Sequence, residues 1–485
     1  LADALGCLID AGQVAVFPSW ETLPHERLSP RSDTVGRRLA VLRRLVHPGT
    51  TPDAGALEVV VAPIRSVLQP QVRGLADLEP VELGRGEEAE LDDVVRRLAD
   101  AAYTRVDLVT KRGEFAVRGG IIDVFPPTED HPLRVEFFGD EVDEIRHFSV
   151  ADQRSTDPVE HVWAPPCREL LLTDDVRARA RELAAAHPEL GEMLEKLAEG
   201  QAVEGMESLA PALVDGMELL VDLLPQDATV LVCDPERVRT RAHDLVATSD
   251  EFLAASWAAA AGGGKAPVDL GAAAFWSLAD VRQHTLGSGR AWWSTSPFML
   301  DDDRPTAETG ETDDFARIDV DGVNLPFVAT PSYRGEVERS LVDLKGWLSD
   351  GTRVALVTPG EGQAARSVEV LGEHDIPARF HPTVTVDDLT PHVVHVMCGD
   401  IAHGLVAEGI DLVVLTQDDI VGQTAAAPRD DRKMPSRRKK QIDPLELTPG
   451  DYVVHEQHGV GKYVEMMQRT VQGAVREYLV TEYAA

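Results

Sequence analysis

The sequence predicts an α/β chain of several domains, and three observations carry that expectation. At 485 residues it exceeds what one hydrophobic core usually serves, so roughly three to five domains are expected. The spacing of its apolar residues changes along the chain. Short apolar runs followed by helical periodicity mark residues 1–75, 167–300 and 315–425, whereas short alternating β-branched runs mark 80–166 and 446–485. Finally, 43% hydrophobic and 27% charged residues is the balance of an ordinary folded domain.

The elements follow in order. Val14-Ala-Val-Phe-Pro reads as a short buried strand, and Asp33 to Leu45 as a helix capped by Asp33 or Thr34. A second apolar run, Leu57 to Ala62, ends in a turn at Pro63. Glu87 to Ala102 reads as an amphipathic helix with an acidic start. The runs Gly113 to Phe125, Leu133 to Phe138 and Val142 to Val150 follow as a mostly antiparallel sheet, with Gly139-Asp140 as a two-residue hairpin turn. Asp175 to His187 and Leu190 to Glu199 read as helices. Thr229-Val-Leu-Val-Cys running into Asp234-Pro235-Glu236 is a strand-to-helix junction with a capping Asp and a first-turn Pro. Ala258 to Gly264 is expected to be a flexible loop. Residues 301–314 hold seven acids and one Arg, as a solvated linker would. Val354-Ala-Leu-Val leading into Pro359-Gly-Glu-Gly, and the later run Asp411-Leu-Val-Val-Leu, describe another α/β unit. Residues 429–440 hold seven basic and two acidic residues and join it to a final strand-turn stretch, 446–485.

The bulk numbers exclude some functions. A net charge of −36 makes nonspecific nucleic-acid binding unfavourable, because that binding depends on Lys and Arg neutralising phosphates; basic patches on other proteins are better partners. No apolar run approaches the roughly 20 residues of a membrane span. Cys7, Cys167, Cys233 and Cys398 lie far apart without a Cys-x-x-Cys, so neither a zinc ribbon nor a disulfide framework is expected, and buried free thiols in a reducing cytoplasm are. The chain starts at Leu1 and stops at Ala485 just after an apolar run, which gives it the look of a fragment.

Catalytic motifs are mostly negative. A phosphate-binding loop needs glycines followed by Gly-Lys-Ser/Thr, so that backbone N–H groups and a Lys can hold phosphates. Gly264-Lys265 is followed by Ala266 and Gly461-Lys462 by Tyr463, so neither qualifies. Thr358-Pro-Gly-Glu-Gly places Glu361 where an anion would sit, and reads as a plain strand-to-helix turn. Thr416-Gln417-Asp418-Asp419 faintly suggests a magnesium-holding acidic motif, but reads as a surface acidic loop. In His455-Glu456-Gln457-His458 the second His is one residue too early for two helical metal ligands. No catalytic set and no metal site are expected.

The informative stretch is Leu133-Arg-Val-Glu-Phe-Phe-Gly-Asp. In a strand, alternate residues share a face. Leu133, Val135 and Phe137 form one stripe, and Arg134, Glu136 and Phe138 the other. If the second stripe is exposed, it sets an Arg beside an aromatic, a pairing typical of interface anchors. The pattern alone favours the other reading, in which Phe138 packs beneath the neighbouring helix while Arg134 pairs with Glu136.

Three stretches resemble a known family. Arg105-Val-Asp, Arg112-Gly-Glu-Phe-Ala-Val-Arg-Gly-Gly-Ile-Ile-Asp-Val-Phe-Pro and Arg134-Val-Glu-Phe-Phe-Gly-Asp-Glu-Val-Asp resemble the UvrA-binding domain shared by UvrB and the transcription-repair coupling factors. Phe17-Pro-Ser-Trp-Glu-Thr-Leu-Pro-His-Glu-Arg-Leu-Ser-Pro is similar to the UvrB-like first lobe of that family. Asp451-Tyr-Val-Val-His-Glu-Gln-His-Gly-Val-Gly-Lys-Tyr is similar to the opening of its CarD-like, RNA-polymerase-interacting domain. The resemblance covers essentially the whole chain, in the family's order.

The resemblance implies an α/β multidomain fold: a UvrB-like lobe in two parts (1–79 and 167–300), an inserted α+β UvrA-binding domain (80–166), an acidic linker (301–314), an α/β domain (315–425), a basic linker (426–445) and a truncated CarD-like, Tudor-like β-barrel (446–485). It implies UvrA contacts at Arg118, Arg134 and Phe138. It also implies a contact with the RNA polymerase β subunit along Tyr463 to Val471, where Tyr463, Arg469, Thr470 and Val471 are the candidates. Double-stranded DNA would be bound only weakly, and no membrane is expected. The family's ATP and Mg belong to a translocase motor that this chain lacks, so no cofactor is expected here. The implied role is a repair scaffold in transcription-coupled nucleotide-excision repair. The alternatives are a UvrB-type superfamily-2 ATPase, disfavoured by the missing phosphate loop, and a CarD-like transcription regulator, disfavoured because that segment is the smallest.

Overall fold

A computed structural model of the chain describes residues 1–24, 26–51, 55–261, 275–296, 322–333, 335–382, 388–421, 452–455, 459–471 and 474–482. It divides into two compact units, Leu1–Gly422 and Gln423–Ala485. Both expected linkers, 301–314 and 426–445, lie outside the described residues.

The first lobe is built on a parallel pair, Val14–Val16 with Val59–Val61. Between them runs the helix Ser32–Val46. Its Val35, Leu39 and Leu42 recur at helical spacing and pack with Phe17, Leu75 and, from far along the chain, Leu220. Strand Gln71–Val72 pairs antiparallel with Met217–Glu218. The polypeptide therefore leaves this lobe near residue 80 and returns to it more than a hundred residues later. The helix cap differs from expectation. The N-cap is Arg31, and Asp33 sits in the first turn, where it accepts from Arg31 and Arg37. Its carboxylate thus meets side-chain guanidiniums while still lying near the positive end of the helix.

The returning chain forms two helices, Asp174–Ala186, capped by the Thr173 hydroxyl, and Gly191–Ala198. They close a separate apolar core around Leu170, Leu194, Leu197 and Leu209. A second parallel pair, Thr229–Cys233 with Ala291–Thr295, follows. Asp234, in the left-handed region at φ 57°, turns the chain into the helix Pro235–Ala261. The alanines expected to open a loop instead extend this helix to Ala261, in keeping with alanine's high helix propensity; residues 262–274 lie outside the described set.

A six-stranded sheet makes the next part. Its order is Phe327–Ala329, Leu405–Ala407, Leu412–Thr416, Arg353–Thr358, Val394–Cys398, Ala378–His381. The last four are mutually parallel and the first two join antiparallel. Helices Val337–Ser349 and Glu361–Glu373 cover it.

The second unit is a three-stranded antiparallel sheet: Tyr452–His455, the long strand Gly459–Val471, and Ala474–Glu482. Among the described residues, no helix is long and apolar enough to cross a membrane.

Candidate functional site: one end of an inserted β-sheet

Residues 81–164 form the inserted domain. Strand Val81–Gly84 pairs antiparallel with His161–Ala164 where the chain enters and leaves. Between them lies a six-stranded sheet in the order Ser155–Pro158, Glu141–Phe148, Leu133–Phe138, Ile121–Val124, Glu114–Arg118, Thr104–Arg105. The helix is shorter than its sequence period suggested, Leu91–Asp100 rather than 87–102. The residues before it are extended instead, with Glu88 bridged to Glu141.

Register decides the two faces, because residues directly opposite in an antiparallel ladder lie on the same side. Val117, Ile122, Val135 and Ile145 form one row and pack with Val94 and Leu98 of the helix as the main core. The opposite face carries two further rows: Arg118, Ile121, Glu136 and Glu144; and Ala116, Asp123, Arg134 and Arg146. Half of that face is closed by a second small core of Val109, Ala116, Phe125 and Phe148. The other half, beside the turns at Gly119-Gly120 and Gly139-Asp140, remains open. Gly119 (φ 61°) and Gly139 (φ 66°) sit in the left-handed region that such tight turns demand.

Phe138 stands at this open end with 81% of its surface exposed. It does not pack beneath the helix. Arg118, at the same end, is also exposed; its Nη2 donates to the Asp107 carbonyl at 2.5 Å. Glu141 lies opposite Phe138, and Glu144 is held below the ordinary carboxylate range by its bond to Arg146.

Arg134 is different. Its Nε and Nη2 donate to the two carboxylate oxygens of Asp123 at 2.7 and 2.9 Å, and Nη1 donates to the Gln153 carbonyl at 3.2 Å. Its guanidinium lies 4.8 Å from the centre of the Phe148 ring. Asp123 is buried. The sequence pattern offered Glu136 as an intramolecular partner, or a free guanidinium for a protein partner; the fold supplies the cross-strand Asp123 instead. Arg134 therefore ties its strand to the neighbouring strand at Asp123 and to the Gln153 loop. The sequence signal for Asp123 was present, as a lone carboxylate inside the apolar run Ile121-Ile-Asp-Val-Phe, but its partner depends on strand register.

The domain is seated firmly on the lobe. Glu169, at its exit, is buried and accepts from Arg38 Nε at 2.5 Å and from Trp20 Nε1 at 3.0 Å. Next to it, Arg168 donates to Glu207 at 2.7 Å.

In the second unit, Tyr463 is 5% exposed. Arg469, Thr470 and Val471 lie on the hairpin, paired with Arg476, Val475 and Ala474; their side chains lie outside the described residues.

Two further motifs are structural. Thr358 is buried and leads directly into the helix Glu361–Glu373, as a plain strand-to-helix turn. Asp419 is not on a surface loop. Its carboxylate is buried and accepts from the backbone N–H groups of Gly404 and Thr416 and from the Thr416 hydroxyl, at 2.8, 2.9 and 2.8 Å. Of the His455-Glu456-Gln457-His458 stretch, residues 456–458 lie outside the described set. Of the four cysteines only Cys167 is buried; Cys7, Cys233 and Cys398 are exposed, contrary to the expectation of buried thiols, and all four are free. Among the described residues no cluster of three or more metal-ligating side chains occurs.

Comparison with known proteins agrees with this division. Residues 81–170 match the UvrB interaction domain family, and residues 447–485 match the CarD-like/TRCF RID domain family. Over its full length the chain is 47% identical to the transcription-repair-coupling factor of Mycobacterium tuberculosis. It is 30% identical over 98% of its length to that of Myxococcus xanthus, and 27% identical over 96% to that of Escherichia coli. It spans 38–39% of the length of these relatives. The chain is thus similar over its length to part of these transcription-repair-coupling factors, and its own residues match the UvrB interaction domain and CarD-like/TRCF RID domain families.

Proposed function

We propose that this chain is a recruiting scaffold of transcription-coupled nucleotide-excision repair. In this reading it binds UvrA through the open end of the inserted sheet, and the RNA polymerase β subunit through residues 447–485. The observation that carries the reading is Phe138, an aromatic ring 81% exposed beside the exposed Arg118 in a UvrB interaction domain. Leaving a ring of this size in water forgoes its burial, and aromatics and arginines dominate binding hot spots. Phe138 supplies apolar contact and Arg118 a planar fork for a carboxylate. Arg134 contributes by bracing the sheet through Asp123.

The test is titration of UvrA against wild type, Phe138→Ala, Arg118→Ala, Arg134→Ala and the exposed helix control Asp100→Ala. Phe138→Ala and Arg118→Ala should each weaken binding about thirtyfold without lowering thermal stability, as hot-spot truncations do. Arg134→Ala should weaken binding and lower stability together. Unchanged affinity in all three site variants, or a folded wild type that does not bind, overturns the reading.

For polymerase, the backbone hairpin formed by Gly459–Val471 and Ala474–Glu482 is the proposed contact, with Arg469, Thr470 and Val471 near its turn and Tyr463 on the same long strand. No cofactor is assigned to this chain: it should neither bind nor hydrolyse ATP, and ATP with Mg belongs to the motor of the whole family protein. Double-stranded DNA binding should be weak and lost at moderate salt. A cytoplasmic location accords with these partners.

A further inference from the structure

We infer that the buried imidazole pair His381–His395 is a proton-sensitive clasp in the six-stranded sheet. Holding at most one proton, it ties the outermost strand, Ala378–His381, and the segment 388–393 to the rest of the sheet. A second proton releases both.

His381 ends the outermost strand, and His395 lies on its neighbour Val394–Cys398. Arg379 is opposite His395 in this parallel ladder, so His381, two residues further on, shares its face. Both rings are buried, at 8% and 2% exposure. His395 Nδ1 lies 2.9 Å from His381 Nε2, and the ring centres are 5.0 Å apart. The other nitrogen of His395, Nε2, lies 3.0 Å from the backbone nitrogen of Thr390 and 2.9 Å from its carbonyl oxygen. One side chain thus links its own strand, the outer strand and the segment that leads into Val394. That segment is pinned a second time by His392, which stands at φ 67° and bonds through Nδ1 to the Leu348 carbonyl at 2.7 Å.

A neutral imidazole carries one N–H. When that of His395 is on Nδ1, it donates to His381 Nε2, and the bare Nε2 accepts from the Thr390 N–H. One added proton goes to His395 Nε2, which then donates to the Thr390 carbonyl, and the link to His381 survives. The next proton must go to His381 Nε2. Two N–H groups then face each other across the same gap, and two positive charges occupy a buried site, so the link is lost.

Among the described residues, the charged groups facing the pair are Arg379, on the same face of the outer strand, and Asp388, in the segment before Thr390. The central strand presents Ala355 opposite His395. Val394 and Val396, which alternate with His395, belong to the apolar core with Ala364 and Leu371 of the covering helix. Burial lowers the His381 pKa, His395 and Arg379 lower it further, and Asp388 opposes them. The folded chain therefore binds this proton less readily than the unfolded chain. The stability it carries is fully present above the unfolded pKa, about 6.5, and is lost as pH falls from there through the lower folded value. Among the described residues no third metal-ligating side chain joins the two imidazoles, which leaves the proton as the ligand.

The experiment is hydrogen exchange of the whole chain, read by mass spectrometry from about pH 7.5 to about pH 5, a range that spans the ordinary imidazole value. Rates are corrected for intrinsic exchange, and the strand Leu412–Thr416 serves as internal reference. In wild type, opening of Ala378–His381 and Val394–Cys398 should rise about thirtyfold between about pH 6.5 and 5, as uptake of one proton per opening event requires. The reference strand should not follow. His381→Gln keeps an acceptor for His395 Nδ1 and removes the site of the second proton, so it should match wild type near pH 7.5 and lose the acid response. His374→Gln, at an exposed position, should behave as wild type. A flat wild-type profile overturns the clasp by itself, even if His381→Gln is open at every pH. An acid response that persists in His381→Gln, or that disappears in His374→Gln, also overturns it, since the titrating group then lies elsewhere.

Discussion

Arg38 and Glu169, separated by 131 residues, form a fully buried ion pair with Nε to Oε1 at 2.5 Å. Arg38 also donates to the Pro18 carbonyl and to Gln71, and its guanidinium lies 4.2 Å from the centre of the Phe17 ring. Arg38 belongs to the first lobe, and Glu169 closes the segment that returns from the inserted domain. Removing one partner would leave the other charge buried and uncompensated, which typically costs about 3–5 kcal/mol. Arg38→Ala and Glu169→Ala should therefore each lower stability by about that amount, measured by denaturant unfolding. A loss below about 1 kcal/mol in both, the range of an exposed pair, would show that the pair is not a buried lock.

Two helical glycines should respond to alanine in opposite directions. A Cβ at Gly36 would lie 2.3 Å from Pro127 Cβ of the inserted domain, whereas one at Gly346 would meet nothing within 4 Å. Replacing a mid-helix glycine with alanine gains roughly 0.5–1 kcal/mol from propensity, and overpacking costs about 1–3 kcal/mol. Gly346→Ala should raise the melting temperature. Gly36→Ala should lower it and speed proteolysis within the inserted domain. Stabilisation by both would mean that the helix–Pro127 contact yields freely.

The bidentate bond between Asp123 and Arg134 makes a double-mutant cycle informative. Asp123→Ala should cost about 2–3 kcal/mol, because the pair is charged, hydrogen-bonded and only partly reached by water. Asp123→Ala combined with Arg134→Ala should cost less than the sum of the single changes. Additive effects would indicate that Arg134 acts independently of Asp123, and its role would revert to a direct partner contact.

Burial raises the Glu207 carboxyl above its ordinary range, against the opposing pull of Arg168 and the Ser29 hydroxyl. The folded chain therefore holds this proton more tightly than the unfolded chain does. The stability linked to it is fully present below the unfolded pKa, about 4.3, and is lost as pH rises through the higher folded value. Melting temperatures of wild type and Glu207→Gln, compared from about pH 4 to 7 around that ordinary value, should diverge, with wild type losing ground relative to the variant as pH rises. A constant difference over that range would contradict the shift.

Much of this molecule is local information and could be read from the sequence. The alternation in Leu133–Phe138 separated the stripe of Leu133 and Val135 from that of Arg134 and Phe138, because a strand's side chains alternate whatever it pairs with, while the exposure of Phe138 was left to the fold. Gly139-Asp140 marked its hairpin because a tight turn needs a residue tolerant of positive φ. The helix Asp174–Ala186 was legible as a helical run from Asp175 to His187. The tertiary structure alone decided what depends on distant residues meeting. It chose Asp123 over Glu136 for Arg134, because cross-strand register places the former opposite. It buried Arg38 against Glu169. It left the sheet edge beside Arg118 uncovered by ending the outer strand after two residues. Periodicity is a property of a segment; charge pairing, burial and an uncovered edge belong to the neighbours that folding brings to it.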